Sequence, residues 1–178
     1  PDLKERTQGD PRRTYFVGFD LGLVGDGSAV AITHVGDDKR IILDYIGQIK
    51  AGEGQFEGKE RLDFDDVANW LHTLPRKFRI SKGVFDQWGA IPLEKAVVKK
   101  GVTVFEGKHF TAKDKSEMWT NFKSMLWDIY DGRPRLQLYD ISPSEKRAYE
   151  SKGERPPEHL PYLDELLSLQ VNYKSQYV

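Results

Sequence analysis

Three strand-like runs stand in a row near the start of the chain, and tight turns join them. They are TYFVGFDLG (14–22), SAVAITHV (28–35) and RIILDYIGQI (40–49). Gly25, Asp26 and Gly27 form the first turn and GDDK (36–39) the second. Parallel strands need a crossover of a dozen or more residues, so connections this short predict an antiparallel meander. In the first run Phe16, Gly18 and Asp20 share one face, and Tyr15, Val17 and Phe19 share the other. Both faces are largely apolar, which predicts a central strand covered on both sides.

The pattern then changes period. A polar loop (50–64) leads to a helix over 65–77, with Val67, Trp70, Leu71 and Leu74 on one face and Asp63 or Asp65 as its cap. SKGVFD (81–86) is a short strand, and 91–100 is a helix with Pro92 in its first turn and Gly101 after its end. A strand over 102–107 precedes a helix over 116–130, striped by Met118, Phe122, Met125, Leu126 and Ile129. A strand (135–140), a charged loop (143–158) and a helix (161–171) complete the order. A meander followed by βα units predicts an α/β fold: a mixed sheet of three antiparallel strands, then parallel strands, with helices on both faces. PDLKERTQGDPRR (1–13) reads as a polar linker and 14–178 as one domain.

Composition narrows the chemistry. The 178 residues include no cysteine, which removes disulfides, thiolate metal sites and a cysteine nucleophile. Net charge is −1, so no global basic character marks a nucleic-acid binder, although a local patch is compatible with it. No apolar run reaches the ~20 residues that span a bilayer. GEGQFEGK (52–59) imitates a phosphate loop but fails it, because its glycine spacing is wrong and Glu60 follows the lysine. The four histidines are scattered, with no HxH or HxxxH pair.

Two carboxylates stand out. Asp20 and Asp86 each end a short apolar strand. In a βββαβ order the first and fourth strands are parallel neighbours, which brings their C-terminal ends to one sheet edge. Two acids there repel unless a cation lies between them, and Mg2+ or Mn2+ suits oxygen donors of this kind. Two such ions ~3.5–4 Å apart can activate water and stabilise the leaving oxygen of a phosphodiester. The alternative is that each aspartate caps the turn that follows it. Asp26 is either a plain turn residue or an auxiliary metal ligand, and Asp140, at a later strand end, reads as structural. GKHFTAKDK (107–115) is a basic, aromatic loop entering a helix. Lys108, His109, Lys113, Lys115 and Lys123 with Phe110 form either a phosphate-backbone contact or a solvated face.

These residues also carry a resemblance. FVGFDLGLVGDGSAVAITH resembles the first strand and hairpin of the RNase H/retroviral-integrase superfamily. GVFDQWGAIPLEKAVVKKGVTVFEGKHFTAKDKSEMWTNFKSMLWD (83–128) is similar to the nuclease domain of tailed-bacteriophage terminase large subunits. HLPYLDELLSLQVNYKSQYV (159–178) resembles the stretch before that family's last acidic motif. The resemblance implies an RNase H-like, metal-dependent endonuclease that cuts concatemeric double-stranded DNA during viral genome packaging in the cytoplasm of an infected bacterium. It implies catalytic Asp20 and Asp86, with Asp26 as a further metal ligand, and Mg2+ or Mn2+ as two ions. Implied partners are DNA, a terminase ATPase domain, the portal and the small terminase subunit. The family's third acid follows a further strand, a position past Val178, so the domain is expected here without its C-terminal strand and helix. Other RNase H-like nucleases, such as a junction resolvase or a ribonuclease H, and a non-catalytic DNA- or motor-docking module are the competing readings.

Overall fold

A computed structural model of the chain describes residues 3–25, 27–86 and 90–169. The three early runs form β1 (Tyr15–Asp20), β2 (Ser28–Val35) and β3 (Ile41–Ile49). After a 3-10 turn at Gly54–Phe56 come α1 (Phe64–Lys77), β4 (Ile80–Asp86), α2 (Ala90–Lys99), β5 (Phe105–Lys108) and α3 (Ala112–Trp127). Three two-residue strands follow, β6 (Ile129–Tyr130), β7 (Arg133–Pro134) and β8 (Leu136–Gln137), then α4 (Pro143–Ser151) and α5 (Pro161–Ser168). Glu5–Leu138 form one compact unit; the residues from Tyr139, with the first few of the chain, form a smaller one.

The larger unit is built on a six-stranded sheet in the order β5-β4-β1-β2-β3-β8. β1 to β3 are the expected antiparallel meander, and β4 and β5 run parallel to β1 on its other side. The mixed α/β sheet predicted from connection lengths is therefore present. Its first face is dry: Tyr15, Val17 and Phe19 of β1 pack with Val30, Ile32, Phe85 and Phe105. α1 contributes Val67, Leu71 and Leu74 to that core, and α2 contributes Leu93 and Val97. Side chains of this size contribute roughly 1.5–3 kcal/mol each when fully buried. Apolar spacing on α1 and α2 thus decides which way both helices face. On the opposite face of β1, Phe16, Gly18 and Asp20 are exposed among the described residues.

Several boundaries differ from expectation for local reasons. Residues 143–158 do not form one loop, because Ser142 caps α4, with Glu145 returning the hydrogen bond and Pro143 in the first turn. A second capping box, Thr111 with Asp114, starts α3 four residues earlier than its apolar stripe predicts. That stripe buries no residue: Met118 is exposed, and Ile129 lies past the helix in β6. The late strand shrinks to β8, two residues paired with Ile41 and Ile42. Most of the stretch that reads as linker belongs to the larger unit and is tied into it. The Arg6 amide donates to the Asp44 carbonyl at 2.7 Å and the Gly9 amide to the Lys77 carbonyl at 2.8 Å. Arg13 forms a two-pronged pair with Asp37 at 2.5 and 2.6 Å.

In the smaller unit Asp140 is an organising acceptor. It takes the Ile141 and Leu160 amides at 2.7 and 3.0 Å and pairs with His159 Nδ1 at 2.8 Å. The Tyr162 hydroxyl donates to the Tyr139 carbonyl, and the two rings lie 5.2 Å apart.

Candidate metal and nucleic-acid site

Strand register decides where the acids go. β1 and β4 pair in parallel, Gly18 with Val84 and Phe19 with Phe85. The next position on each strand is Asp20 and Asp86. Both therefore sit at the C-terminal edge of adjacent strands, on the same face, with strand axes about 4.8 Å apart. Asp20 is exposed, and the Asp86 side chain is 27% exposed. The sheet surface beside Asp20 is small: β2 sets Ala31 opposite Gly18 and Ala29 opposite Asp20. A Cβ added at Gly18 would meet nothing within 4 Å, so the floor next to the acids is open.

The basic segment reaches the same edge. Asp86 pairs in register with Lys108 at the end of β5. The Thr111–Asp114 box then begins α3, and its hydrogen bonds hold the Asp114 carboxyl below the usual range. One residue on, Lys115 places Nζ 2.9 Å from Asp86 Oδ2. Lys108 turns its ammonium over the Phe110 ring, 5.6 Å from the centroid. His109 is exposed, Lys113 pairs with Glu117 at 3.8 Å, and Lys123 lies partly buried three turns along α3. Lys115 is thus the predicted basic residue that meets an acid of the pair, and Lys108 is its strand neighbour. Asp26 lies outside the described residues.

Asp20 and Asp86 supply oxygen donors on an open face, the ligand type a hard divalent cation prefers, and Asp86 already attracts a positive charge in Lys115. No group of three or more His, Asp or Glu able to hold a metal forms among the described residues. The pair matches a largely hydrated ion, with most ligands left to water, and not an all-protein cage.

No protein-family model matches the chain, and no curated protein matches it. Solved structures do. The HK97 bacteriophage large terminase superposes with a TM-score of 0.58 at 14% identity, over 76% of this chain and 32% of that one. The fold is that of a phage large-terminase nuclease. The large terminase nuclease from thermophilic phage G20c agrees, with a TM-score of 0.56 at 13% identity over 78% of this chain and 68% of that one. The same G20c nuclease with bound magnesium gives 0.55 at 14% identity, over 78% and 67%. The chain spans about a third of the HK97 large terminase, so the likeness to that protein concerns a part of it.

Two buried or paired acids escaped the sequence reading as partners. Asp44 sits in the core strand β3 with His34 Nδ1 at 2.5 Å and Arg6 Nε at 3.0 Å. His159 holds Asp140, as above. The spacing between partners, tens of residues in each case except His34 and Asp44, leaves no local pattern to read. No helix among the described residues is long and apolar enough to cross a membrane.

Proposed function

We propose that this domain is a divalent-metal-dependent endonuclease of the terminase type, cutting double-stranded DNA, with Asp20 and Asp86 as its metal-holding carboxylates. The observation that carries the reading is the in-register placement of the two acids at the ends of β1 and β4. Magnesium in the G20c nuclease of the same fold supports the choice of ion. Asp20 and Asp86 would hold Mg2+ or Mn2+, and Asp26 is the proposed additional ligand. A bound divalent ion would supply an activated water near neutral pH and neutralise charge on the scissile phosphate.

The chain's own groups do the rest. The open floor of Gly18, Ala29 and Ala31 leaves room for a backbone phosphate beside the carboxylates. Lys108, His109, Lys113, Lys115 and Lys123 are the proposed contacts to DNA phosphates, which position the duplex without reading its sequence. Their effect is local, since the chain as a whole carries a net charge of −1. Packaging of concatemeric DNA with an ATPase domain, portal and small subunit, in the host cytoplasm, is the biological setting proposed with this activity.

The test is supercoiled plasmid incubated with Mg2+ or Mn2+ and followed by gel. Asp20→Asn and Asp86→Asn should each lower cleavage by more than the ~10–100-fold typical of losing a group that only orients a ligand. Cleavage equal to wild type in either variant removes that aspartate from the role. Preferential cutting of four-way junctions or RNA–DNA hybrids over linear duplex would redirect the reading to another RNase H-like nuclease.

A further inference from the structure

Lys115 does something at this site that a phosphate-contacting lysine does not. Its ammonium is 2.9 Å from Asp86 Oδ2, against one of the two carboxylates assigned above to the metal. The capping box at Thr111 fixes the start of α3, so Lys115 is presented from the first turns of a helix and not from a loop tip. The lysine side chain is 58% exposed and the aspartate 27%. Pairs this accessible contribute little to stability, so the fold does not depend on the contact. Of the lysines on the neighbouring strands, Lys82 pairs with Glu106 at 2.7 Å, and Lys108 lies over Phe110.

We propose that Lys115 is a built-in competitor for the metal: it neutralises Asp86 when no divalent ion is bound and is displaced when one arrives. This rests on the metal-nuclease reading given above. A cation that takes Asp86 Oδ2 competes with the 2.9 Å contact, so metal affinity at that oxygen is lowered by up to what the ion pair is worth. The displaced ammonium, on a flexible four-carbon stem, is then free to meet a phosphate next to the acids. Metal and DNA are thereby coupled. A phosphate that draws Lys115 away from Asp86 opens that carboxylate to the ion, and by linkage the ion favours the phosphate contact equally.

Mn2+ affinity, measured by the electron paramagnetic resonance signal of the free ion, tests this without reference to cleavage. Lys115→Met should bind Mn2+ about two- to fivefold more tightly than wild type, the range an exposed pair supports. Lys115→Arg, which restores the charge, should stay near wild type. A short DNA duplex should raise Mn2+ affinity in wild type and do so less in Lys115→Met. Unchanged or weaker Mn2+ binding in Lys115→Met, or an equal duplex effect in both proteins, overturns the proposal. Asp86→Asn separates the two levels of inference. If it binds Mn2+ as wild type does, the metal assignment fails and the competitor role falls with it. If it binds weakly while Lys115→Met is unchanged, the competitor role alone fails.

Discussion

Asp44 has no exposed side-chain surface, and a charge there is tolerable only with partners. His34 and Arg6 provide them, although burial still pushes the carboxyl up from its ordinary range. Asp44→Ala strands a buried imidazole and a partly buried guanidinium. It should cost about 2–4 kcal/mol in urea unfolding, with the loss concentrated in Arg6–Arg13 protection by hydrogen exchange. His159 and Asp140 make a different pair, titratable near neutrality. The hydrogen bond to Asp140 raises the His159 pKa from its ordinary 6.5. Burial works to raise Asp140, but its hydrogen bonds from His159, Ile141 and Leu160 outweigh burial and bring it below 3.8. The histidine's contribution is whole below 6.5 and fades as pH rises through its raised value. The aspartate's is whole above 3.8 and fades as pH falls through its lowered value. The pair therefore contributes most between those two ordinary values. Melting temperature should fall between about pH 6 and about pH 9 by more in wild type than in His159→Gln. Of these residues the sequence exposes the ends of apolar strands, hence Asp20 and Asp86. It hides Asp44, whose partner Arg6 comes from a stretch that composition marks as solvent-facing.

At the level of elements, the meander was legible because two short turns permit no other pairing, and α1 and α2 because their apolar stripes face a core. α3 was half legible. Its capping box sets its start, yet its apolar stripe packs against nothing that buries it among the described residues. The box residues were in plain sight, and the stripe's period outweighed them. α4 was missed in the same way, its Ser142-x-x-Glu145 signal lying inside a charge-rich run. Gly83 shows how an element carries the site. A Cβ at Gly83 would lie 2.2 Å from the Phe105 ring, so the ring lies against β4 there only because that position is bare. Gly83→Ala should displace the Phe105 ring and disturb the packing of β5 at a cost of about 1–3 kcal/mol. Because β5 ends in Lys108 and leads into α3, duplex binding should weaken beyond what the stability loss explains, as read by a filter-binding titration on folded protein.

The larger unit is organised by one strand. β1 is central, flanked by antiparallel β2 and parallel β4, and its C-terminal end carries Asp20. Its order in the sheet followed from connection lengths and handedness, which is why the edge bearing the two acids could be placed from sequence. The short strands β6, β7 and β8 could not be, since two residues carry no periodicity. At the opposite end of β1, the segment before Tyr15 is fastened at Arg6, Gly9 and Arg13 to three separate parts of the larger unit. That fastening has a mechanical meaning. A pull on the N-terminus loads the anchors at Arg6, Gly9 and Arg13 one after another, and beyond them it runs lengthwise along β1. There the bonds to both neighbouring strands resist in shear, all at once, instead of unzipping singly. Force entering at one end of the strand is thus shared across the sheet before it reaches the carboxylate at the other.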